Sequence, residues 1–308
     1  MAATVRITGC NLAKVHDMSG SCSALSAALA EPPAGTASVA TAWLCVEQPG
    51  PWGSDALRDS HLDDGLAAEL SRHAEGSGVR IVLIRRPGQH ADHHHAQPRQ
   101  VYLASTRPGA CWLESTVLTD PKQLLDLDFH AAAAGRHVGL GSRVEESLLL
   151  VCTNGRRDVC CAVRGRPVAG ALAAANPGRV WETTHTGGHR FAPTAVLLPT
   201  GYLYGRVTPA DGQRLLDSAD VVLAGNRGRS CWSRPGQVAE LAVREQHGEL
   251  HPELLSVSPN GAVVTHSDGR EWAVTVTEQP QPPARPASCG KSPSVPSAFV
   301  ADTVVRTR

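Results

Sequence analysis

The sequence predicts an α/β protein in three parts: an N-terminal α/β lobe over residues 1–145, a second α/β domain over 146–235, and a C-terminal helix and β-hairpin over 236–308. Three observations lead to this prediction. Short apolar runs alternate with helical patterns through the first two parts. Gly and Pro close most of these segments. One helical pattern and an Asp-Gly hairpin then end the chain.

The N-terminal lobe contains apolar runs of strand length between helical patterns. Strands are predicted at TAWLCVEQPG (41–50), RIVLIRRPG (80–88), VYLAS (101–105) and CWLESTVL (111–118). Helices are predicted at SDALRDSHLDDGLAAELSRHA (54–74), from its apolar spacing, and at DPKQLLDLDFHAAAAG (120–135). The second of these begins at Asp-Pro and ends at Gly135, which are typical helix boundaries.

The second domain has the order strand, loop, helix, strand, strand pair, helix. ESLLLVC (146–152) predicts a buried strand, followed by the polar loop TNGRRDVCC and a helix that starts at Pro167. RVWETTH, AVLLP and YLYGRV predict further strands, and TPADGQRLLDSAD predicts a helix capped by Thr208. This is the order of a thioredoxin-like domain. Its cysteine loop lies at the carboxyl end of the first strand, where open α/β sheets bind ligands.

The C-terminal part begins with the helical pattern RPGQVAELAVREQ and continues with a hairpin that turns at Asp268-Gly269. QPQPPARPAS then predicts an extended connector. Cys289 follows this connector, so the tail either folds back toward the cysteine loop or leaves an exposed thiol.

Composition excludes several classes of protein. The 29 basic and 29 acidic residues cancel, so neither nucleic acid nor a membrane surface is an expected partner. No apolar run approaches the roughly 18 residues of a membrane span, and the N-terminus lacks a signal-peptide pattern, so we expect a cytoplasmic protein. Nine cysteines then indicate reduced thiols rather than a disulfide framework. Five are expected to be core residues: Cys10, Cys22, Cys45, Cys111 and Cys231.

Two motifs bring together residues that bind soft metals. VCTNGRRDVCCAVRGRP supplies Cys152, Cys160 and Cys161, and WETTHTGGHRF supplies His185 and His189. Thiolates and imidazoles favour zinc, copper and iron–sulfur clusters. Two thiolates on one iron and two imidazoles on the other would satisfy a [2Fe–2S] unit. A mononuclear zinc site built from the same ligands is the alternative.

Glycine and arginine surround these ligands. Gly155 and Gly165 would let the backbone approach closely, and the Gly187-Gly188 pair indicates a tight loop between the histidines. Four arginines would offset the charge of a thiolate-bound cluster: Arg156, Arg157, Arg164 and Arg166. The histidine-rich HADHHHAQPR (90–99) is expected to be a solvated loop rather than a metal site.

Residues 152–206 resemble the signature of the sucrase/ferredoxin-like family, and EQPGPWGSDAL (47–57) and RPASCGK (285–291) extend the resemblance over nearly the whole chain. The resemblance implies a thioredoxin-like ferredoxin fold. It also implies a [2Fe–2S] cluster held by two cysteines and by the histidines of an H-x-x-x-H motif, here His185 and His189. Cys152 and Cys161 fit the family's cysteine spacing, and Cys160 remains the alternative to Cys161.

The sequence therefore predicts an iron–sulfur protein that exchanges electrons with redox partner proteins, a reductase and an acceptor. No dinucleotide fingerprint is present, so a nicotinamide or flavin would belong to a partner. The alternative is a thiol oxidoreductase that uses Cys152, Cys160 and Cys161 without a cluster. Against it, a C-x-x-C motif is absent and a disulfide between neighbouring cysteines is strained. No acidic pair indicates a glycosidase, since Asp158 and Glu182 are expected to be supporting groups.

Overall fold

The computed structural model describes residues 20–88 and 98–308. Cys10 and most of the histidine-rich segment (residues 90–97) lie outside the described residues. The α-helices are Cys22–Ala28 (α1), Ala56–Asp59 (α2), Asp64–Ala74 (α3), Phe129–Ala133 (α4), Val159–Ala175 (α5), Pro209–Asp217 (α6) and Arg234–His247 (α7). Short 3-10 helices span Pro121–Asp126 and His189–Phe191.

The strands of the larger sheet are Ala42–Glu47 (β1), Val79–Arg85 (β2), Arg99–Ser105 (β3), Trp112–Leu118 (β4), Ser142–Arg143 (β5), Leu148–Cys152 (β6), Val180–Thr183 (β7), Thr194–Leu198 (β8), Tyr202–Gly205 (β9) and Asn226–Arg229 (β10). The smaller sheet contains Leu255–Val257 (β11), Val263–His266 (β12), Glu271–Pro280 (β13) and Ser297–Arg306 (β14). Helices accompany both sheets, so the predicted α/β class is confirmed.

The larger sheet has the order β10-β9-β8-β6-β7-β2-β1-β3-β4-β5 and is mixed. β1 pairs with β2 in parallel, β6 pairs with β7 in parallel, and the other neighbours are antiparallel. The antiparallel pair β2–β7 joins the first half of the sheet to the second, with Ile84 opposite Thr183 and Arg85 opposite Glu182. The sheet is thus continuous across residue 145, and the division of the chain into domains at that position stays a prediction.

Each half of this sheet contains the same arrangement of elements. The first half runs β1, α3, β2 and the hairpin β3–β4, and the second runs β6, α5, β7 and the hairpin β8–β9. The second series is followed by α6, whose predicted N-cap Thr208 also forms a capping box with Asp211. The elements of residues 146–217 therefore occur in the order that the sequence predicts.

The apolar cores explain why the halves form one body. On one face, α3 buries Leu66 and Leu70 against the first half, while α5 buries Leu172 against the second half. Another core takes side chains from both halves, including Trp43 of β1 and Trp181 of β7. Each fully buried large side chain contributes about 1.5–3 kcal/mol, so the shared core stabilises the β2–β7 junction.

Two predicted helices of the first half are interrupted. Residues 54–74 form α2 and α3 rather than one helix, because Asp63 accepts a hydrogen bond from Leu66 N and starts a new helix. Residues 120–135 form a 3-10 helix and then α4, because Asp128 caps Ala131 N in the same way. Side-chain caps within these segments therefore override the continuous apolar spacing.

The start of α5 was predicted wrongly. The helix begins at Val159 rather than Pro167, and Pro167 lies inside it. Asp158 is the N-cap and accepts a hydrogen bond from Cys160 N at 2.9 Å. Cys160 and Cys161 therefore lie in the first turn of a helix and not in a loop.

The smaller sheet is antiparallel, with the order β11-β12-β13-β14. Its β12–β13 hairpin turns at Asp268-Gly269 as predicted, and Gly269 has a positive φ of 93°. Helix α7 packs Ala239 and Val243 against this sheet. The connector between β13 and β14 carries Arg285 and Cys289 back toward the larger sheet. None of the helices within residues 20–88 and 98–308 has the length and apolar character that crossing a membrane demands.

Candidate metal centre

The predicted ligands lie at one edge of the larger sheet. β6 and β7 are parallel neighbours, and Cys152 at the end of β6 is in register with Thr183 at the end of β7. Thr153 N continues the pairing with a hydrogen bond to Thr183 O. His185 follows two residues later, so the topology brings the cysteine and histidine motifs to the same edge.

Cys152, Cys161 and His185 form one group. The two sulfurs and a ring nitrogen of His185 lie within 4.8 Å of one another, and both sulfurs are buried. The pKa of Cys152 is lowered, chiefly by a hydrogen bond from the Cys161 thiol and also by His185, although burial opposes ionisation. The geometry therefore favours a thiolate at Cys152, the form that binds metals.

His189 lies beside this group and is not one of its three members. Its ring centroid is 5.1 Å from that of His185. Its Nε2 is 3.7 Å from Asp158 Oδ2. The Nδ1 atoms of both histidines are buried and have no hydrogen-bond partner in the described part of the chain. A buried unpaired nitrogen is costly, so these two atoms are candidate metal ligands.

The loop that carries the histidines is held by side chains from distant elements. Three successive carbonyl groups each accept a hydrogen bond: His185 O from Arg80 at 2.8 Å, Thr186 O from Ser38 at 2.7 Å, and Gly187 O from Arg227 at 3.0 Å. The loop is therefore positioned by the segment before β1, by β2 and by β10.

Both glycines of this loop have conformations that favour glycine, with φ of 85° at Gly187 and 67° at Gly188. A Cβ at Gly188 would lie 2.2 Å from Arg227 Nη2, and a Cβ at Gly187 would lie 2.5 Å from Ser38 Oγ. The tight loop predicted from the glycine pair is present.

Arg80 and Arg227 were missed by the sequence analysis. Arg227 is buried and Arg80 is half-buried: burial lowers the pKa of each guanidinium, while the Cys152 thiolate raises it. Among the arginines expected to offset the cluster charge, Arg156, Arg157 and Arg166 are exposed, and Arg164 is half-buried. Only the fold brings Arg80 and Arg227 to the site, since no local pattern marks them.

Cys160 and Cys161 belong to separate groups. Successive residues of an α-helix point about 100° apart, so the neighbouring sulfurs face different directions. Cys160 lies with Cys22, Cys289 and Asp158, whose ligand atoms are all within 4.8 Å of one another. Cys22 was expected to be a core residue; it is buried, but it contacts two other thiols. The tail folds back, which is one of the two alternatives for Cys289.

Gly165 lies within α5 and allows this helix to pack closely against β6. A Cβ at Gly165 would lie 2.2 Å from Cys152 O, so α5 can approach the end of β6 only without a side chain there. The close approach expected of Gly165 is therefore observed. It brings Cys152 and Cys161 together from strand and helix.

The two acidic residues near the site are occupied by other contacts. Asp158 caps α5 and accepts hydrogen bonds from Ser288 Oγ and Cys289 N. Glu182 accepts hydrogen bonds from Arg85 and Thr153. Both thus support the loops around the ligands. Every cysteine within the described residues is a free thiol.

Comparison with known proteins identifies the family of this chain. A sequence model of the sucrase/ferredoxin-like family matches residues 33–230. A curated relative, Altered inheritance of mitochondria protein 32 from Meyerozyma guilliermondii, is 34% identical over 85 residues, which is 24% of this chain and 30% of the relative. The match thus spans less than a third of that relative's length. No solved structure matches the chain. The chain belongs to the sucrase/ferredoxin-like family.

Proposed function

We propose that this chain is an iron–sulfur electron-transfer protein whose [2Fe–2S] cluster is held by Cys152, Cys161, His185 and His189. One observation carries the proposal: two buried sulfurs and a His185 nitrogen lie within 4.8 Å, next to a second histidine. Both histidines keep a buried Nδ1 unpaired among the described residues. Two thiolates and two imidazoles fit the donor preferences of such a cluster.

Cys161 is the proposed second cysteine, and Cys160 is not. The support is that Cys161 lies with Cys152 and His185, whereas the Cys160 sulfur contacts those of Cys22 and Cys289 at 3.6 and 3.4 Å. The thioredoxin-like character of residues 146–235 is part of this proposal. It is supported by the order β6, α5, β7, β8–β9, α6.

When bound, the cluster supplies one-electron chemistry. The chain contributes the electrostatics around it. The positive charges of half-buried Arg80 and buried Arg227 interact with the Cys152 thiolate and favour the more negative, reduced state.

The histidine side is the proposed route for electrons to redox partner proteins. Cys152 and Cys161 are fully buried, whereas the His189 side chain is 17% exposed. The surface at His185–Arg190 is therefore the part of the ligand set that a reductase or an acceptor protein can reach.

Thiol oxidoreductase chemistry at Cys152 and Cys161 is the second candidate. The hydrogen bond between the two thiols and the lowered pKa of Cys152 favour it. Their complete burial opposes it, because disulfide exchange needs access of a second sulfur to the thiolate.

Anaerobic purification with quantitation of iron and acid-labile sulfide tests the proposal. We expect about two of each per chain in the wild type. Cys152→Ser should abolish both, and His185→Ala and His189→Ala should change the absorption spectrum or remove the cluster. Cys45→Ser is the matched control, since Cys45 is a buried β1 thiol away from both groups.

Two results would contradict the proposal. One is colourless protein that takes up neither iron nor sulfide on anaerobic reconstitution. The other is disulfide reductase activity that survives His185→Ala, which would support the thiol oxidoreductase instead.

A further inference from the structure

The geometry points to a second metal site, which holds one Zn²⁺ ion and is separate from the proposed cluster; its ligands are Cys22, Cys160, Cys289 and Asp158. We call it the three-thiol site. It draws one residue from α1, two from the start of α5 and one from the connector between β13 and β14.

The sulfur triangle has the dimensions of a mononuclear site. The three Sγ–Sγ distances are 3.6 Å for Cys22–Cys160, 3.4 Å for Cys160–Cys289 and 3.6 Å for Cys22–Cys289. Tetrahedral zinc with bonds of about 2.3 Å separates its sulfurs by about 3.8 Å. A disulfide requires about 2.05 Å, far less than any of the three distances. A small opening of the triangle is enough for one ion.

An oxygen donor completes a set of four. The carboxylate oxygens of Asp158 lie 3.8 and 3.9 Å from Cys22 Sγ. Ser288 Oγ and Cys289 N donate to Oδ2, which fixes the carboxylate at the triangle. Thiolates exclude magnesium and calcium, which take oxygen ligands. A mixed sulfur and carboxylate set of four suits zinc.

The charge of the group also favours a cation. Apart from His189 Nε2 at 3.7 Å, Asp158 has no basic side chain within ion-pairing distance in the described part of the chain. The Asp158 carboxylate and three thiols are thus gathered at a site that lacks a matching arginine or lysine among the described residues.

The burial of the four ligands indicates the side from which a zinc ion would enter. Cys22, Asp158 and Cys160 are buried, whereas Cys289 is only half-buried, so the tail side is the open one. A zinc ion there would cross-link α1 and the tail to the helix turn that carries Cys161. It would therefore stabilise the wall of the proposed cluster site without ligating the cluster.

Elemental analysis of the full-length protein tests this site. After expression in zinc-supplemented medium, we expect about one zinc per chain in the wild type. Cys289→Ser and Cys22→Ser should each lose most of the zinc and keep the iron. Cys152→Ser should lose the iron and keep the zinc, and Cys45→Ser should keep both. Cys289→Ser is the decisive variant, because Cys289 is half-buried on a connector and its change spares the core.

A second readout follows the tail. Lys291 is exposed two residues after Cys289, so tryptic cleavage there should accelerate several-fold in Cys289→Ser or after chelation of zinc. Wild-type protein without zinc, zinc that is unaffected by Cys22→Ser and Cys289→Ser, or a disulfide between any two of the three thiols would overturn the site. Because iron is measured in the same samples, this outcome is distinct from failure of the cluster proposal.

Discussion

The two halves of the larger sheet have the same strand order, but different segments follow their parallel strands. In β2-β1-β3-β4 and in β7-β6-β8-β9, the first two strands are parallel and the rest are antiparallel. After β1 the chain continues with Gln48, Pro49 and Trp52, and Trp52 is buried. After β6 it continues into the cysteine turn, and after β7 into the histidine loop.

The sheet therefore determines where the loops lie, and the residues of the loops determine whether they can bind a metal. The first half carries none of the proposed ligands, but its residues Ser38 and Arg80 hold the histidine loop. The second half also receives α1 and the tail, which meet it at Cys160. The first half is thus a support for the site in the second.

The largest effect is expected from crowding the β6–α5 contact. Gly165→Ala places a methyl group 2.2 Å from Cys152 O and should lower the free energy of unfolding by about 3 kcal/mol. Gly170→Ala lies on the same helix in open space and should stabilise the protein by up to about 1 kcal/mol. Urea unfolding of both variants checks the difference. Equal stability of the two would contradict the packing role of Gly165.

The next effect concerns the histidine loop. Gly188→Ala combines a left-handed backbone with a methyl group 2.2 Å from Arg227 Nη2, so we expect a loss of about 2 kcal/mol and of most of the iron. Gly178→Ala is the matched control, because Gly178 also has a positive φ but has open space around it. It should lose about 1 kcal/mol and keep its iron. Retained iron in Gly188→Ala would show that the loop geometry is not required.

The contribution of the first half is tested at Arg80. Arg80→Met removes the hydrogen bond to His185 O and a half-buried positive charge that interacts with Cys152. We expect a loss of about 1–2 kcal/mol and faster loss of iron to a chelator. Arg86→Met, at an exposed arginine that stacks on Trp181 rather than on the histidine loop, should leave the rate of iron loss unchanged. If both variants lost iron to the chelator at the same rate, Arg80 of the first half would not be needed to hold the histidine loop.

The smallest expected effect is a pH dependence of stability, caused by Glu31, where the segment after α1 contacts the tail. Buried Glu31 binds Arg285 at 3.0 Å and Arg190 at 2.7 Å. Burial raises the pKa of Glu31, but the two arginines outweigh it and hold the pKa below the ordinary 4.5. A lowered carboxyl pKa means that this stabilisation is complete above about pH 4.5 and is lost as the pH falls through the folded-state value.

Thermal unfolding between about pH 6 and pH 3 measures this loss, whose slope for one proton is at most about 1.4 kcal/mol per pH unit. In Glu31→Gln, stability should fall less steeply with decreasing pH, because the contribution of this one carboxyl group is absent. Glu145→Gln, at an exposed ion pair, should retain it. A wild-type slope in Glu31→Gln would contradict the assignment.

Local signals predicted much of the fold. The Asp268-Gly269 turn and the Thr208 cap specify their own conformations, and both were found. Pro167 misled the prediction of α5, because proline also fits a first helical turn and Asp158 supplies a stronger cap nine residues earlier. The joining of β2 to β7 could not be predicted, since it depends on pairing between residues about 100 apart.

The candidate site likewise has features that local sequence signals predict and features that they do not. The cysteine and histidine motifs are short, so the sequence itself showed the residue types of a candidate metal site. The separation of Cys160 from Cys161 depends on the helical phase of residues assigned to a loop. The partners of Cys160 lie more than 120 residues away at Cys22 and Cys289, so no local pattern could reveal them. The predicted location of the protein and its redox partners stay predictions.

The separation of the two neighbouring cysteines is tested most directly by measuring iron and zinc per chain in Cys160→Ser and Cys161→Ser, purified side by side without oxygen. We predict that Cys161→Ser loses iron and keeps zinc, while Cys160→Ser loses zinc and keeps iron. Loss of iron in Cys160→Ser with iron retained in Cys161→Ser would contradict it.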